Sequence, residues 1–357
     1  MSLNILFKTT SHVSIGDDIA FYGTKRIFDR VLPGHNAFVF SRNEKDSWKR
    51  ALDIDIDLVV IAGTPVWSGS QMASLEEFII TKKKPTFYCG VGMAYGNNDR
   101  TSAALANSIG FIGRDNWAVK RAWQDTDAAV ICCPSIFSVD AQPQTDKKIG
   151  IVLQVDTFPE KQLRLINRFK KEELVIICNE IVDYVWAEKN LPDYEILYSR
   201  WLPDMARFYL RCKEIYTMRI HGAHLAYALG IPTVCTKNEK DKSVVCHKIG
   251  VKLVDPDLVT AADLSNDQSI KARKWTEYME YVSTRIEDRF PGVVPEHVLA
   301  EAKVAGDKLR ADIAAGLVPA PDSGPKRTPK KKDIAGGSGT ENAQHIPMAA
   351  LAAGALS

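Results

Sequence analysis

No stretch of this chain reaches the roughly 18 consecutive apolar residues that a membrane-spanning helix requires. The opening segment, Met1-Ser-Leu-Asn-Ile-Leu-Phe-Lys-Thr-Thr10, lacks the basic start and long apolar region of a secretory signal. An excess of one charge is also missing. Lys and Arg number 46 against 44 Asp and Glu, for a formal net charge of +2, so the molecule as a whole makes no electrostatic case for nucleic acid. Aromatic residues are 9% of the chain and are not interleaved with basic runs where folding is expected. The seven cysteines are an odd number, and most sit inside apolar runs. No pair of them has zinc-knuckle spacing. They read as buried free thiols in a reducing compartment, which implies a cytoplasmic location. H-E-x-x-H, the P-loop, G-x-S-x-G and the dinucleotide fingerprint G-x-G-x-x-G are all absent.

What is present is an ordinary globular composition, 45% hydrophobic and 25% charged, in 357 residues, enough for about two domains. Short apolar runs at 4–8, 37–41, 58–62, 86–90 and 128–133 read as strands. Between them, amphipathic stretches at 19–30, 71–80, 101–109 and 116–123 read as helices. This order implies a parallel sheet with helices on both faces. The polar stretch 141–148 has no periodicity and reads as a linker, after which the alternation restarts with strand candidates at 149–154, 174–178, 195–198, 214–217 and 233–236. The expected fold class is therefore α/β, with two Rossmann-like domains over 1–140 and 141–317 and a central cleft at the carboxyl ends of the strands. Helical sequence continues to about residue 315, with its longest pattern from 268 to 290. These helices either cover the second domain or cross back to the first. From 318 to 357 prolines, Lys330-Lys-Lys332 and Gly336-Gly-Ser-Gly339 describe a disordered tail. A solvated tail is the default reading of that basic run, and peripheral contact with a membrane surface is the other.

The most informative segment is Glu214-Ile-Tyr-Thr-Met-Arg-Ile-His-Gly-Ala-His-Leu-Ala-Tyr-Ala-Leu-Gly-Ile-Pro-Thr-Val234, which reads as strand, loop, helix, stop, strand. Arg219 and His221 fall where the loop becomes the helix, and Gly230 with Pro232 ends it. Free backbone N–H groups and the positive end of the helix dipole then meet a guanidinium fork and an imidazole, which together suit an anion. His221 and His224, three apart, could share a metal, but no Cys or carboxylate stands near them in sequence to support one, so no metal is expected.

Other candidates are less specific. In Ser11-His-Val-Ser-Ile-Gly-Asp-Asp-Ile-Ala20, Gly16 permits close backbone approach. Asp17 or Asp18 either caps the helix from Ile19 or faces the cleft to bind or deprotonate a sugar hydroxyl, with His12 a weaker candidate. After the third strand, Gly63 lets a ligand approach and Trp67 either stacks on a sugar or simply packs. Gly92, in Gly90-Val-Gly92, lets the backbone line the cleft. In Arg114-Asp115, Asp115 is a plausible cap and Arg114 a second cation at a strand's carboxyl end, or half of a structural ion pair.

Taken together these blocks resemble the polysaccharide pyruvyl transferase family. The resemblance rests on Ser14-Ile-Gly-Asp-Asp-Ile-Ala20, Asp57-Leu-Val-Val-Ile-Ala-Gly63, Gly90-Val-Gly92 and Arg114-Asp115. It rests most on Arg219-Ile-His-Gly-Ala-His-Leu-Ala-Tyr-Ala-Leu-Gly-Ile-Pro232, which is similar to the family's R-L-H block. Two departures stand out. The family's glycine run after the third strand is Gly63-Thr-Pro-Val-Trp67 here, and its D-P block near the domain boundary is Cys133-Pro134.

The resemblance implies a fold like that of B-type glycosyltransferases, with the acceptor on the first domain and phosphoenolpyruvate on the second. It also implies transfer of the enolpyruvyl unit to two hydroxyls of a sugar or of a lipid-linked or polymeric glycan, releasing phosphate, without a cofactor. On that reading Arg219 and Arg114 hold donor anions, His221 binds the phosphate and assists its departure, and Asp17 is the base. Oligomeric state is left open. A sugar-nucleotide glycosyltransferase is the alternative, although Asp241 is the only nearby candidate for a ribose clamp. A sugar-binding protein on an inactive transferase fold is the non-enzymatic one.

Overall fold

The structure, a computed structural model, describes residues 2–9, 15–41, 53–63, 73–92, 99–116, 128–156, 158–236 and 242–320. Trp67, His12, Asp241 and nearly all of the expected tail lie outside these residues. Two all-parallel sheets carry the fold. The first comprises β1 (Asn4–Thr9), β2 (Asn36–Ser41), β3 (Leu58–Ala62), β4 (Thr86–Val91), β5 (Ser108–Gly113) and β6 (Ala128–Val130), in the order β2-β1-β3-β4-β5-β6. The second comprises β7 (Lys148–Val152), β8 (Leu174–Cys178), β9 (Ile196–Tyr198), β10 (Cys212–Thr217) and β11 (Thr233–Cys235), in the order β11-β10-β7-β8-β9. This is the doubly wound α/β architecture expected from the alternation. Strands such as Leu58–Ala62 and Leu174–Cys178 are buried along their whole length, which is why they read as unbroken apolar runs.

Between the strands run α1 (Ile15–Val31), α2 (Ala73–Lys82), α3 (Asp99–Leu105), α4 (Pro159–Ile166), α5 (Ile181–Asn190), α6 (Leu202–Leu210) and α7 (Ile220–Ala228). The chain then closes with α8 (Gln268–Arg289) and α9 (Glu296–Ala314). Two local expectations change. Residues 108–113 form β5, whereas the sequence pattern extends the preceding helix to 109. Helix α1 starts at Ile15 rather than Ile19, because Ile15 and Ile19 are both buried against Val152, Met205 and Leu225 of the second sheet's layer. Asp17 and Asp18 therefore lie in its first turn, where their charge complements the helix dipole.

Strand order reverses between β1 and β3 in the first sheet and between β7 and β10 in the second. In open α/β sheets, ligands bind beyond the carboxyl ends of the strands at such switch points. Helix α1 follows β1, and helix α7 follows β10, so each begins at a switch point. The closing helices cross back to the first sheet. The Tyr278 hydroxyl donates to the Cys132 carbonyl at 2.5 Å, and Phe111 N–H donates to the Tyr281 hydroxyl at 3.2 Å. Val298 and Ala302 of α9 join the core around Leu3, Phe28 and Val31.

All seven cysteines are free and buried. Burial pushes the Cys212 thiol up to about 12 and the Cys178 thiol further in the same direction. A thiol whose folded pKa lies above its unfolded value adds stability below the unfolded value and loses it as pH rises toward the folded one. We therefore expect resistance to denaturant to fall from about pH 9 upward, Cys212 contributing roughly 1.4 kcal/mol per pH unit until about pH 12. Comparing urea midpoints of the wild type and Cys212→Ala across this range checks it; equal slopes would remove Cys212 as the cause.

Candidate functional site

The site forms where the two switch points meet. A Cβ placed on Gly16 of α1 would lie 2.0 Å from Nδ1 of His221 on α7. The backbone of one helix start thus rests directly on the imidazole of the other, and any side chain at Gly16 would displace it. Farther along α1, a Cβ on Gly23 would lie 1.8 Å from the Pro134 carbonyl oxygen. That contact seats the 3-10 turn Pro134–Phe137, preceded by Cys133, against α1. From this turn the Ser135 hydroxyl meets Nδ1 of His224 at 2.7 Å, across 89 residues of sequence.

Arg219 precedes α7 with an extended backbone. Its fork does not face open space. Nε donates to the Leu153 carbonyl and to Asp183 Oδ2, each at 2.9 Å, and Nη1 donates to Glu180 Oε1 at 2.7 Å. Nη2 lies 2.7 Å from Asp183 Oδ2 as an ion-pair contact. The Asp183 side chain is fully buried and that of Arg219 is 12% exposed. Burial alone penalises the Arg219 charge, but Asp183 and Glu180 outweigh it and hold the guanidinium charged. Nε and Nη1 are thus engaged, and Nη2, although within ion-pair distance of Asp183, is buried with no hydrogen-bond partner among the described residues, so at most one edge of the fork is open to a donor anion. In this structure Arg219 ties the start of α7 to the end of β7 and to α5.

Arg114 is the opposite case. It follows β5 and is 3% exposed, yet its buried Nε and Nη1 have no hydrogen-bond partner among the described residues. The nearest Asp115 carboxylate oxygen is 3.9 Å from Nε, beyond hydrogen-bonding distance. A Cβ on Gly92 would lie 2.9 Å from Nε, so the glycine makes room for this guanidinium. A buried cation with orphaned donors is costly unless something anionic meets it.

The two imidazoles carry the same signature. The buried Nε2 atoms of His221 and His224 lack partners among the described residues. Burial, reinforced by the Arg114 charge, His224 and Arg219, holds His221 far below its ordinary pKa. Burial and Arg114 push His224 down to about 3. Both rings are thus neutral near pH 7, and His221 is a hydrogen-bonding or proton-accepting group until an anion arrives to raise its pKa. Cys133, His221 and His224 each bring one ligand atom to within 4.8 Å of the others.

Gly63 has φ +55°, and a Cβ there would lie 2.5 Å from Ala20 Cβ, so its glycine serves the packing of α1 onto β3. Asp17 and Asp18 are half-buried in the first turn of α1, beside Gly16. The structure thus gathers Gly16, Arg114, Gly92 and His221, whereas Trp67 lies outside the described residues. Sequence reasoning missed the Ser135–His224 contact and the Glu180–Asp183 clamp. Neither has a local signal, since each pairs residues far apart in the chain.

The polysaccharide pyruvyl transferase family model matches residues 15–240, which include all of these groups. The chain belongs to this family. A search of curated proteins finds no match. Among solved structures, similar ones include S. aureus MnaA in a co-structure with UDP, at 11% identity and TM-score 0.49, aligned over 90% of this chain and 99% of that one. Another is the Methanocaldococcus jannaschii UDP-GlcNAc 2-epimerase in complex with UDP-GlcNAc and UDP, at 12% identity and TM-score 0.44, over 74% and 95%. The glycotransferase of kitacinnamycin is 11% identical with TM-score 0.40, over 87% and 100%. In the Arg219-Ile-His221 block, Arg219 is held by Glu180 and Asp183, whereas Nε2 of His221 has no partner among the described residues.

The two arginines make opposite predictions. Arg219→Ala leaves the buried Asp183 carboxylate unpaired and should cost about 3–5 kcal/mol of stability. Arg114→Met removes an unsatisfied buried cation and should stabilise the fold by about 1–3 kcal/mol while abolishing anion binding. Denaturant unfolding of both variants checks the pair; equal and opposite-to-expected shifts would reverse the assignment of strut and ligand.

Proposed function

We propose that this chain is a cytoplasmic pyruvyl transferase that joins phosphoenolpyruvate to two hydroxyls of a sugar, forming a cyclic pyruvate ketal and inorganic phosphate. The observation that carries this reading is Arg114: a buried guanidinium with two donor atoms unpartnered among the described residues, its charge felt by two neutral imidazoles, within the family-matched segment. Phosphoenolpyruvate presents a phosphate and a carboxylate, and a guanidinium is suited to either.

In the balanced reaction, C2 of the donor forms two C–O bonds to the sugar and loses its C–O bond to phosphate. Of the two hydroxyl protons released, one ends on C3, which becomes a methyl group, and one leaves with phosphate. Arg114 holds the incoming anion, replacing water with a fixed charge in a dry site. His221, neutral before substrate arrives, donates or accepts a hydrogen bond through Nε2. Once the dianionic phosphate lies beside it, its pKa rises and it carries a proton toward the leaving oxygen. Asp17, in the first turn of α1, receives a hydroxyl proton from the acceptor. Arg219 acts through position, keeping the α7 start, and so His221, at the switch point. The acceptor is a sugar or glycan, and its approach is from the side of the first sheet.

The test is calorimetric titration with phosphoenolpyruvate, followed by phosphate release in the presence of pyranose acceptors. Saturable binding that Arg114→Met loses, with folding intact, supports the reading. UDP binding without phosphoenolpyruvate binding would replace it with sugar-nucleotide chemistry. A second variant probes the contact between the helices: Gly16→Ala should lower phosphate release at least about 100-fold, as expected for a displacement near 1 Å at a reacting group. Wild-type turnover in that variant would exclude His221 from the reaction.

A further inference from the structure

We propose that Cys133, His221 and His224 form a binding site for a borderline-soft divalent cation such as Zn2+, with one coordination position left open. In the sequence, the two histidines stand without a third ligand, and Cys133 is 88 residues before the first of them. The fold brings it to them by seating the Pro134–Phe137 turn against α1 and α7. One ligand atom from each residue lies within 4.8 Å of the other two. A tetrahedral zinc ion with bonds of about 2.0–2.3 Å needs ligand atoms about 3.4–3.6 Å apart, so contraction by about 1 Å of side-chain movement completes the set.

Three further observations point to a ligand. Cys133 is 1% exposed and His224 is fully buried, while His221 is half-buried with its Nε2 atom buried, so the donor atoms are largely shielded from competing water. Both Nε2 atoms are buried and have no partner among the described residues, although a neutral imidazole ordinarily satisfies both nitrogens when buried. The far edge of the His224 ring is held, with Nδ1 meeting Ser135 Oγ at 2.7 Å, and His221 Nδ1 lies on the side of its ring toward Gly16. With Nδ1–H of His224 donating to Ser135, its Nε2 lone pair is free for a metal, the arrangement by which outer groups orient histidine ligands.

Three protein ligands with a fourth position open are the coordination of a catalytic rather than a closed structural zinc site. The charge of Arg114 reaches both rings. That charge would disfavour a second cation alone, but the thiolate offsets one unit of charge. The remaining positive charge suits an anionic oxygen, from phosphate or carboxylate, as the fourth ligand; in a metal-loaded site the cation would take over from a proton on His221 the task of neutralising that oxygen.

The test uses the full chain freed of metal with a chelator and titrated with Co2+ alone, so it does not depend on phosphoenolpyruvate being the substrate. One Co2+ per chain is expected, with a thiolate-to-cobalt charge-transfer band that Zn2+ displaces. Cys133→Ser should lose the band with its circular dichroism unchanged, and Cys246→Ser should keep it. Ser135→Ala should weaken Co2+ binding about 10–100-fold. X-ray absorption of the zinc-loaded wild type should give one sulfur and two imidazole nitrogens, a readout that stands even if a variant fails to fold. No stoichiometric band, a band surviving in Cys133→Ser, or a shell with two or more sulfurs would overturn the site.

Discussion

Gly16 must remain glycine while His221 stands where it does, because a Cβ would lie 2.0 Å from the ring nitrogen. That contact joins the start of α1, which follows the first sheet's switch strand, to the start of α7, which follows the second sheet's. Around it the chain is over-determined. Ile15 and Ile19 bury the first turn of α1 in the second sheet's layer, while Phe21, Ile27 and Phe28 bury the rest in the first. A helix shared between two cores holds the distance between them, and α8 closes the arrangement through Tyr278 on Cys132. Helix starts alone would supply only weak anion affinity, since their effect falls off within a turn. The contact matters because it places a side-chain cation and two imidazoles at the same point.

The two arginines then divide the labour of charge. Arg219 is desolvated but compensated by Asp183 and Glu180, so it contributes position. Arg114 is desolvated, with Asp115 no closer than 3.9 Å and two donor atoms unpartnered among the described residues, so it contributes field. Its influence is visible in its neighbours, since it helps to hold both histidines in their neutral form. A neutral imidazole does not repel the guanidinium, which is what lets the fold tolerate three nitrogen-rich side chains in one buried space. The unsatisfied groups remaining there are the kind of local inconsistency that proteins keep at functional sites and offset elsewhere.

Much of the fold was legible because buried parallel strands write themselves as apolar runs; Leu58–Ala62 and Leu174–Cys178 are read at their observed bounds. Strand β5 was not. Its Ser-Ile-Gly-Phe-Ile-Gly carries two glycines and follows a helix directly, and what makes it a strand is pairing with Thr86–Tyr88 on one side and Ala128–Val130 on the other. The α7 block was legible because its stop signal is local: Gly230 adopts φ +84° just after the helix. The partner of Arg219 was not, because Asp183 lies 36 residues earlier and its complete burial depends on tertiary packing. Likewise Cys133 looked like a departure from a family block, with nothing in the sequence to say which side chains it faces.

That departure acquires a physical meaning once its neighbours are known. An aspartate at 133 would bring a full negative charge to the two imidazoles that Arg114 already influences. It would favour their protonated forms and partly cancel the guanidinium's field. Cysteine places no carboxylate there. It also exchanges a hard oxygen donor for a soft sulfur one, and neutral imidazoles beside a thiol are the set that borderline metals prefer over oxygen-rich sites. Both consequences follow from one side chain, and both act on the space between α1 and α7. The turn that carries Cys133 is held in place independently of that side chain, by Pro134 and its contact with Gly23.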